Sequence, residues 1–298
     1  MILEYTKINE DNYIYLRQVL KERFHLSARL ILKLKKEQKI LLNGEPTYLD
    51  RFLNPNDKIT ILIDFVEDNS NILPSEMELN ILYEDEGLLI LDKPAGIPVH
   101  PSMQHYADSL SNGVRFYFDN IKLHKKIRPV NRLDRDTSGI VIFAKNEYIH
   151  NILSQQMQHK ILKKKYIAIC EGIFDFKEGI IDFPIARKEN SIIERCVNPL
   201  GDSAITNYKV IQELSSPTSL SVLDINLITG RTHQIRVHTS YLGHPIIGDS
   251  LYGNTSPFIA RQALHAYKIE FFNPLTNKKM VITSELPSDM KQILNYNW

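Results

Sequence analysis

Residues 128–146 constrain this chain more than any other stretch, because a charged, turn-forming segment runs there straight into an apolar, β-branched run. Ile140, Val141, Ile142 and Phe143 read as a buried strand, and Thr137, Ser138 and Gly139 just before it supply tight-turn chemistry. Asp134 is therefore expected on a loop held by a rigid strand. Arg128, Arg132 and Arg135 place positive charge around it, which suits a carboxylate and attracts a polyanion. From spacing alone, an Asp among arginines is as readily a solvated surface ion pair of small worth.

Clusters of strand patterns with few intervening helices point to an α+β class. From Tyr13 to about Lys36 the periodicity is helical, with Leu16, Val19 and Leu20 and then Leu30, Ile31 and Leu34 between basic positions; Ser27 is placed to cap the second helix. Residues 39–44 read as a strand into an Asn43-Gly44 turn, and residues 58–63 as a closing strand. Arg17, Lys21, Arg23, Arg29, Lys33, Lys35, Lys36 and Lys39 make this unit basic, although a solvated helix face has the same charge spacing. Polar, turn-rich sequence from Asp64 to Met77 marks a boundary. The expected division is an N-terminal unit over 1–66, a linker over 67–77 and a larger unit over 78–298.

In the larger unit, residues 88–91 form a short buried strand that turns out through Asp92-Lys-Pro-Ala-Gly96. Residues 105–120 read as an amphipathic helix carrying Leu110, Val114 and Tyr117, with Gly113 as its weak point. Asn146 caps a helix through about His159, striped by Ile149, Leu153 and Met157. Two long antiparallel strands are expected between Ala204 and Thr229, then a helix capped by Thr232 and closed at Gly243. The chain ends in strand, strand and a short helix near residues 290–294.

A formal charge of +1 over 298 residues does not announce a nucleic-acid binder, so local clustering has to carry that claim. Cys170 and Cys196 lack CxxC spacing and read as core or semi-buried thiols in a reducing compartment. There is no signal-peptide pattern and no apolar run long enough to span a bilayer, which makes the cytoplasm the expected location and Asn254-Thr-Ser a chance glycosylation sequon. His233 and His238 lie five apart and do not form an i, i+4 metal pair, so no metal is expected.

Several strings carry a resemblance to a known family. Arg132-Leu-Asp-Arg-Asp-Thr-Ser-Gly139 with its following strand, the run from Ile81 to Ser102, the Lys-x-Tyr-x-Ala pattern at Lys164-Lys-Tyr-Ile-Ala168, and Thr229-Gly-Arg-Thr-His-Gln-Ile-Arg-Val-His238 resemble the Rlu-type RNA pseudouridine synthases. That family modifies large-subunit ribosomal RNA and related RNAs. Gly243-His-Pro-Ile-Ile-Gly-Asp249 and Leu264-His-Ala266 also look like family sequence, as framework. Over residues 13 to about 63, the order Leu-Ser-x-Arg, Asn-Gly and Pro-Asn-Asp-Lys-Ile is similar to the small RNA-binding domain named after ribosomal small-subunit protein S-four.

The resemblance implies a mixed, mostly antiparallel sheet of α+β type with an RNA cleft across its middle, no cofactor, and RNA as partner, ribosomal first and transfer RNA second, for a protein expected to be monomeric. It implies that Asp134 is the catalytic carboxylate, that Tyr166 lies against the target base and that Arg236 is the ion-pair partner of Asp134. A ring suits a flipped base and a guanidinium fork suits a carboxylate. Arg132, Lys93, Lys163, Lys164, Lys165, Arg231, Arg29 and Lys33 are the expected RNA contacts. Asn131 stands where the family commonly has His, and an amide still offers hydrogen bonds there.

Converting uridine to pseudouridine breaks a carbon–nitrogen glycosidic bond, turns the base and rejoins it to ribose through carbon. The reaction needs a base out of its stack, a carboxylate at the sugar–base junction and a pocket that retains the detached uracil. Whether Asp134 attacks the anomeric carbon or the uracil ring is left open by the residues. Two other classes fit part of the sequence. A non-catalytic RNA-binding or ribosome-assembly protein explains the basic N-terminal unit but gives no reason to keep Asp134, Tyr166 and Arg236 together. A glycoside hydrolase could pair Asp134 with Asp136, yet the lone tryptophan, Trp298, offers no sugar platform.

Overall fold

The computed structural model describes residues 1–215 and 218–295, which leaves Trp298 outside the described residues. From the N-terminus, β1 (Ile2–Thr6), α1 (Leu16–Gln18) running into a π-helical turn at Val19–Arg23, α2 (Ala28–Lys36), β2 (Ile40–Leu42), β3 (Glu45–Pro46) and β4 (Lys58–Leu62) make a small unit with strand order β1-β4-β2-β3. Ser27 caps α2 by accepting from the Leu30 N–H. Asn43 and Gly44 adopt φ of 53° and 89° between β2 and β3, the left-handed pair that a tight hairpin requires. β1 is an addition to the sequence-based expectation: Leu3 and Tyr5 turn inward between exposed Ile2, Glu4 and Thr6, an alternation of only five residues.

The larger unit is built on β5 (Ile81–Glu84), β6 (Leu88–Lys93), β7 (Ser138–Ala144), β8 (Lys163–Glu171), β9 (Glu178–Asp182), a separate ribbon of β10 (Ile185–Arg187) and β11 (Arg195–Val197), and β12 (Ile205–Leu214), β13 (Leu220–Leu227), β14 (Leu264–Phe272) and β15 (Lys279–Thr283). Nine of these form one sheet in the order β5-β6-β7-β14-β8-β13-β12-β9, with β15 beside β14. Every pairing in it is antiparallel except β7 with β14. Helices α3 (Leu110–Asn120), α4 (Glu147–Gln158), α5 (Gln234–Tyr241) and α6 (Ser288–Asn295) complete the fold. Among the described residues, no helix is long and apolar enough to cross a membrane.

The unbroken apolar runs in β6 and β7 follow from cover on both faces. Alternate residues Leu89, Leu91, Val141 and Phe143 join the core that includes Leu110, Val114 and Phe118 of α3. Leu88, Ile90, Ile140 and Ile142 point the other way, into a core shared with Ile149 and Leu153 of α4 and with the N-terminal residues Leu16, Leu30, Leu34 and Ile61. A period of two thus distributes one strand between two cores. Each such buried side chain contributes about 2 kcal/mol.

The expected boundary coincides with a connection free of helix and strand, but the connection is fastened down. Asn69 accepts from the Ile127 N–H, and its amide also bonds the Lys125 carbonyl. Glu67 pairs in a fork with Arg128, at 2.6 and 2.8 Å. Burial works against the Glu67 carboxylate, but the Arg128 guanidinium holds it below the ordinary range.

Other expectations shift in detail. α3 starts at Leu110 rather than 105, because Ser109 and Asn112 close a capping box there. Gly113 is a packing point: a Cβ there would lie 2.3 Å from Cγ of Met77. Asn146 caps α4 as expected, accepting from the Ile149 N–H. Cys170 is buried and Cys196 partly so, both free.

Gly139 is where β7 leaves the turn and meets β14. Its φ is +114°, and a Cβ would sit 2.3 Å from the Ala266 carbonyl oxygen. Gly139→Ala is therefore expected to cost on the order of 3 kcal/mol, read as a lower denaturant midpoint in chemical unfolding.

Candidate active site

The turn after Val130 is clamped from behind. The Thr137 N–H bonds the Asp134 carbonyl at 3.1 Å. The Arg135 carbonyl accepts from the Gly96 N–H and from Nζ of Lys93, the Asp136 carbonyl from Arg261, and Oγ1 of Thr137 from Gln262. Lys93, expected at a phosphate, is instead fully buried, donating to the carbonyls of Pro94, Ile97 and Arg135 at 2.8 Å each. Burial pushes its ammonium down to about 7, against the opposing pull of Asp136 and Asp134. Three donors facing three carbonyls make it a fastener of the Asp134 loop, with none left for RNA.

Asp134 opens onto a cavity of about 400 Å3 whose walls come from the 130–137 loop, β8 and the segment from Leu227 to Arg236. Arg236 reaches it from α5, with Nη1 3.1 Å from Oδ2 of Asp134. The rest of the guanidinium grips a second carboxylate: Nε and Nη2 bond Asp249 at 2.7 and 2.8 Å. Burial opposes the Arg236 charge, but Asp249 and then Asp134 outweigh it and hold the group above its ordinary range. Asp249 is nearly inaccessible and is fixed by the N–H groups of Leu251 and Tyr252. It escaped the sequence reading because it sits inside a string taken as framework.

Tyr166 is buried in the cavity wall, and among the described residues its hydroxyl has no hydrogen-bond partner. Burial, and then the charge of Asp134, push the phenol above its ordinary range, so it remains a proton donor at neutral pH. β8 alternates, which sorts the three lysines before it. Lys164 shares the cavity side with Tyr166, and burial lowers its ammonium. Lys165 lies on the opposite face, paired with Asp224 at 2.9 Å, and Lys163 is exposed outside the cavity. Only Lys164 of the three is at the site.

Arg132 is exposed at the cavity rim without a hydrogen-bond or ion-pair partner among the described residues, and Arg231 lines the mouth while bonding the Ser203 carbonyl. Arg29 and Lys33 lie elsewhere, in a basin with Glu67, Arg128, Glu147 and His150. Lys33 is engaged there by Glu67 and Glu147, each at 3.5 Å, and by the Phe65 ring. Asn131 donates to the Ile140 carbonyl and accepts from the Ile142 N–H, so both ends of its amide are bound to β7 backbone. Asp136 pairs with Arg135 and lines a different pocket from Asp134, so the two do not form a carboxylate pair across one cavity.

α5 begins differently from expectation. Its N-cap is His233, in a left-handed conformation with φ of +56°, not Thr232. Gln234 ties down the approach to the helix instead, accepting from the Arg231 N–H and the Thr229 hydroxyl, and no side chain caps the helix itself. Gly243, with φ of +84°, follows the helix as expected. The strained start aims His233 at the site: Nε2 lies 3.8 Å from Oδ2 of Asp134, and Nδ1 is 2.8 Å from the Tyr252 hydroxyl. That hydroxyl accepts from the Arg195 N–H, and in the tautomer where it donates to Nδ1 the imidazole proton sits on Nε2, toward Asp134. Burial lowers the His233 pKa, which keeps the ring neutral. Among the described residues, no group of three or more His, Cys, Asp or Glu is placed to hold a metal ion.

A family model described as RNA pseudouridylate synthase matches residues 87–241, a little over half of the chain. The chain belongs to that family. It is 40% identical over 280 residues to a Bacillus subtilis (strain 168) protein described as "Uncharacterized RNA pseudouridine synthase YhcT", covering 94% of this chain and 92% of that one. It is 37% identical over 239 residues to "Ribosomal large subunit pseudouridine synthase D" of Buchnera aphidicola subsp. Schizaphis graminum (strain Sg), covering 75% of each. Two solved structures share the fold. "Human RNA Pseudouridylate Synthase Domain Containing 4" aligns with a TM-score of 0.59 at 21% identity, over 72% of this chain and 91% of that one. "Human RNA Pseudouridylate Synthase Domain Containing 1" gives 0.57 at 23%, over 70% and 83%. The mostly antiparallel α+β fold and the pseudouridine synthase activity, an isomerisation on RNA, are thus those of its family.

Proposed function

We propose that this pseudouridine synthase acts on specific uridines of large-subunit ribosomal RNA in the cytoplasm, with Asp134 as the catalytic carboxylate. The observation that carries the residue assignment is the convergence of Asp134, Tyr166 and Arg236, from three distant segments, on one cavity. The choice of ribosomal RNA is supported by relatives named for the large ribosomal subunit. Residues 1–66 act as an S-four-like RNA-binding unit, and 78–298 carry the chemistry.

In this mechanism the target uridine leaves its stack and enters the cavity, with Arg132 at the rim holding the displaced strand. Asp134 meets the sugar–base junction as nucleophile or proton-handling carboxylate, oriented by Nη1 of Arg236 and faced by the neutral His233. The Tyr166 ring packs against the base, and its free hydroxyl hands a proton to or from it as the base turns. Leu133, Leu227, Ile228 and Leu264 line the space that keeps uracil from escaping once the glycosidic bond is broken.

Tyr166→Phe keeps the ring and removes the proton carrier. It is expected to lower kcat about 10²- to 10⁴-fold with KM nearly unchanged, measured by single-turnover tritium release from uridine-labelled RNA. The reading as a whole is tested by pseudouridine mapping of ribosomal and transfer RNA in cells lacking this protein and complemented by wild type or Asp134→Asn. Ribosomal sites restored only by wild type support it. Sites lost from transfer RNA alone would overturn the substrate, and sites restored equally by Asp134→Asn would overturn the catalytic residue.

A further inference from the structure

Beside the catalytic cavity, and sharing Gly230, Arg231 and Thr232 with it, lies a groove of about 450 Å3 walled by the β10–β11 ribbon. Its charge arrangement is unfavourable for an empty groove. Arg187 and Arg195 are directly paired across the ribbon, so both side chains leave on the same side. Like charges opposite each other destabilise an antiparallel pair, and this ribbon has only three residues per strand with which to resist. Among the described residues the side chain of Arg187 makes no hydrogen bond or ion pair. Among the same residues the side chain of Arg195 reaches only the carbonyls of Ile193 and Glu194. The one carboxylate lining the groove, Asp202, is mostly exposed and lies 3.4 Å from Arg231.

We propose that this groove is an anion subsite that takes a backbone phosphodiester of the RNA strand next to the flipped uridine. An anion between Arg187 and Arg195 turns a repulsive pair into a clamp, and guanidinium forks suit phosphate oxygens. Because the groove and the cavity share the wall formed by Gly230, Arg231 and Thr232, the phosphate it takes is close in sequence to the target nucleotide. Binding there also bears on the chemistry. The Arg195 N–H bonds the Tyr252 hydroxyl at 2.7 Å, and that hydroxyl bonds His233, which faces Asp134. A phosphate that seats β11 therefore steadies the histidine beside the catalytic carboxylate.

The assignment rests on RNA entering the cavity, so the test uses an RNA fragment that the wild-type protein converts; failure to find any such fragment would count against that reading rather than against the subsite. Neutral methylphosphonate linkages are placed one at a time around the target uridine, and affinity is measured for wild type and for Arg187→Gln. One linkage next to the target should weaken wild-type binding about tenfold and have little further effect in Arg187→Gln. The same variant should raise KM about tenfold, lower kcat several-fold as β11 is no longer seated beside His233, and reduce the slope of log affinity against log salt by about 0.7. Arg187 is exposed, so folding is not at issue, and Arg187→Lys should recover part of the affinity. Wild-type affinity and salt slope in Arg187→Gln, or a methylphosphonate effect that persists in full in that variant, would overturn the subsite. So would equal competition by inorganic phosphate in wild type and variant, which would mean that the arginines hold no phosphate.

Discussion

Asp134→Asn should leave a folded, RNA-binding protein that makes no pseudouridine. The loss of turnover is expected to be at least about 10⁴-fold, because an amide of the same shape neither attacks carbon nor carries the proton. Stability should change little, for a reason visible in the site. Arg236 keeps both bonds to Asp249, so removing the Asp134 charge does not strand a bare guanidinium. Circular dichroism melting and equilibrium RNA binding, run beside single-turnover kinetics, separate the two effects. A variant with wild-type melting, affinity within about tenfold and turnover above about one percent of wild type would remove Asp134 from the chemistry.

Arg236→Leu should fail in both respects. It uncouples Asp134 and strands Asp249, a nearly inaccessible carboxylate left with only the Leu251 and Tyr252 N–H groups. Breaking a buried pair from one side costs about 3–5 kcal/mol, on the order of 10 °C in Tm for a chain of this size. Arg236→Lys retains a charge without the fork, so it should regain part of the melting temperature while remaining slow. Adding Asp249→Leu to Arg236→Leu should restore stability but not activity, since it removes the stranded charge and leaves Asp134 without its partner. Differential scanning calorimetry and kinetics on the set of four proteins decide it.

The sequence carried the architecture where local chemistry and tertiary environment agree. Ile140 to Phe143 declared a buried strand, and Asn146 and Ser27 capped helices by rules that act within one turn. Arg236 was legible because its motif is carried nearly intact. The misses are side chains whose direction depends on distant partners. Nothing local distinguishes Lys93, bound to three carbonyls, from a lysine that reaches for phosphate. The three lysines before Tyr166 look alike in sequence, and only the pleat of β8 separates Lys164 from Lys165. Asp249 and Tyr252 enter the site through Arg236 and His233, contacts made between loops that no periodicity announces. Thr232 is a good cap by composition, but the helix starts one residue later at a left-handed His233, while the longer amide of Gln234 ties the loop by reaching back three and five residues.

The core common to the N-terminal unit and the back of β6 and β7 bears on how such a protein can be taken apart or rebuilt. A fragment cut at residue 66 or 77 would take Leu16, Leu30, Leu34 and Ile61 out of the core that they share with Ile90, Ile140 and Ile142, behind the loop that holds Asp134. Grafting a foreign N-terminal unit onto the larger one thus calls for a matching apolar underside as well as a compatible connection. The two units can drift apart in sequence, but at their contact they must change together.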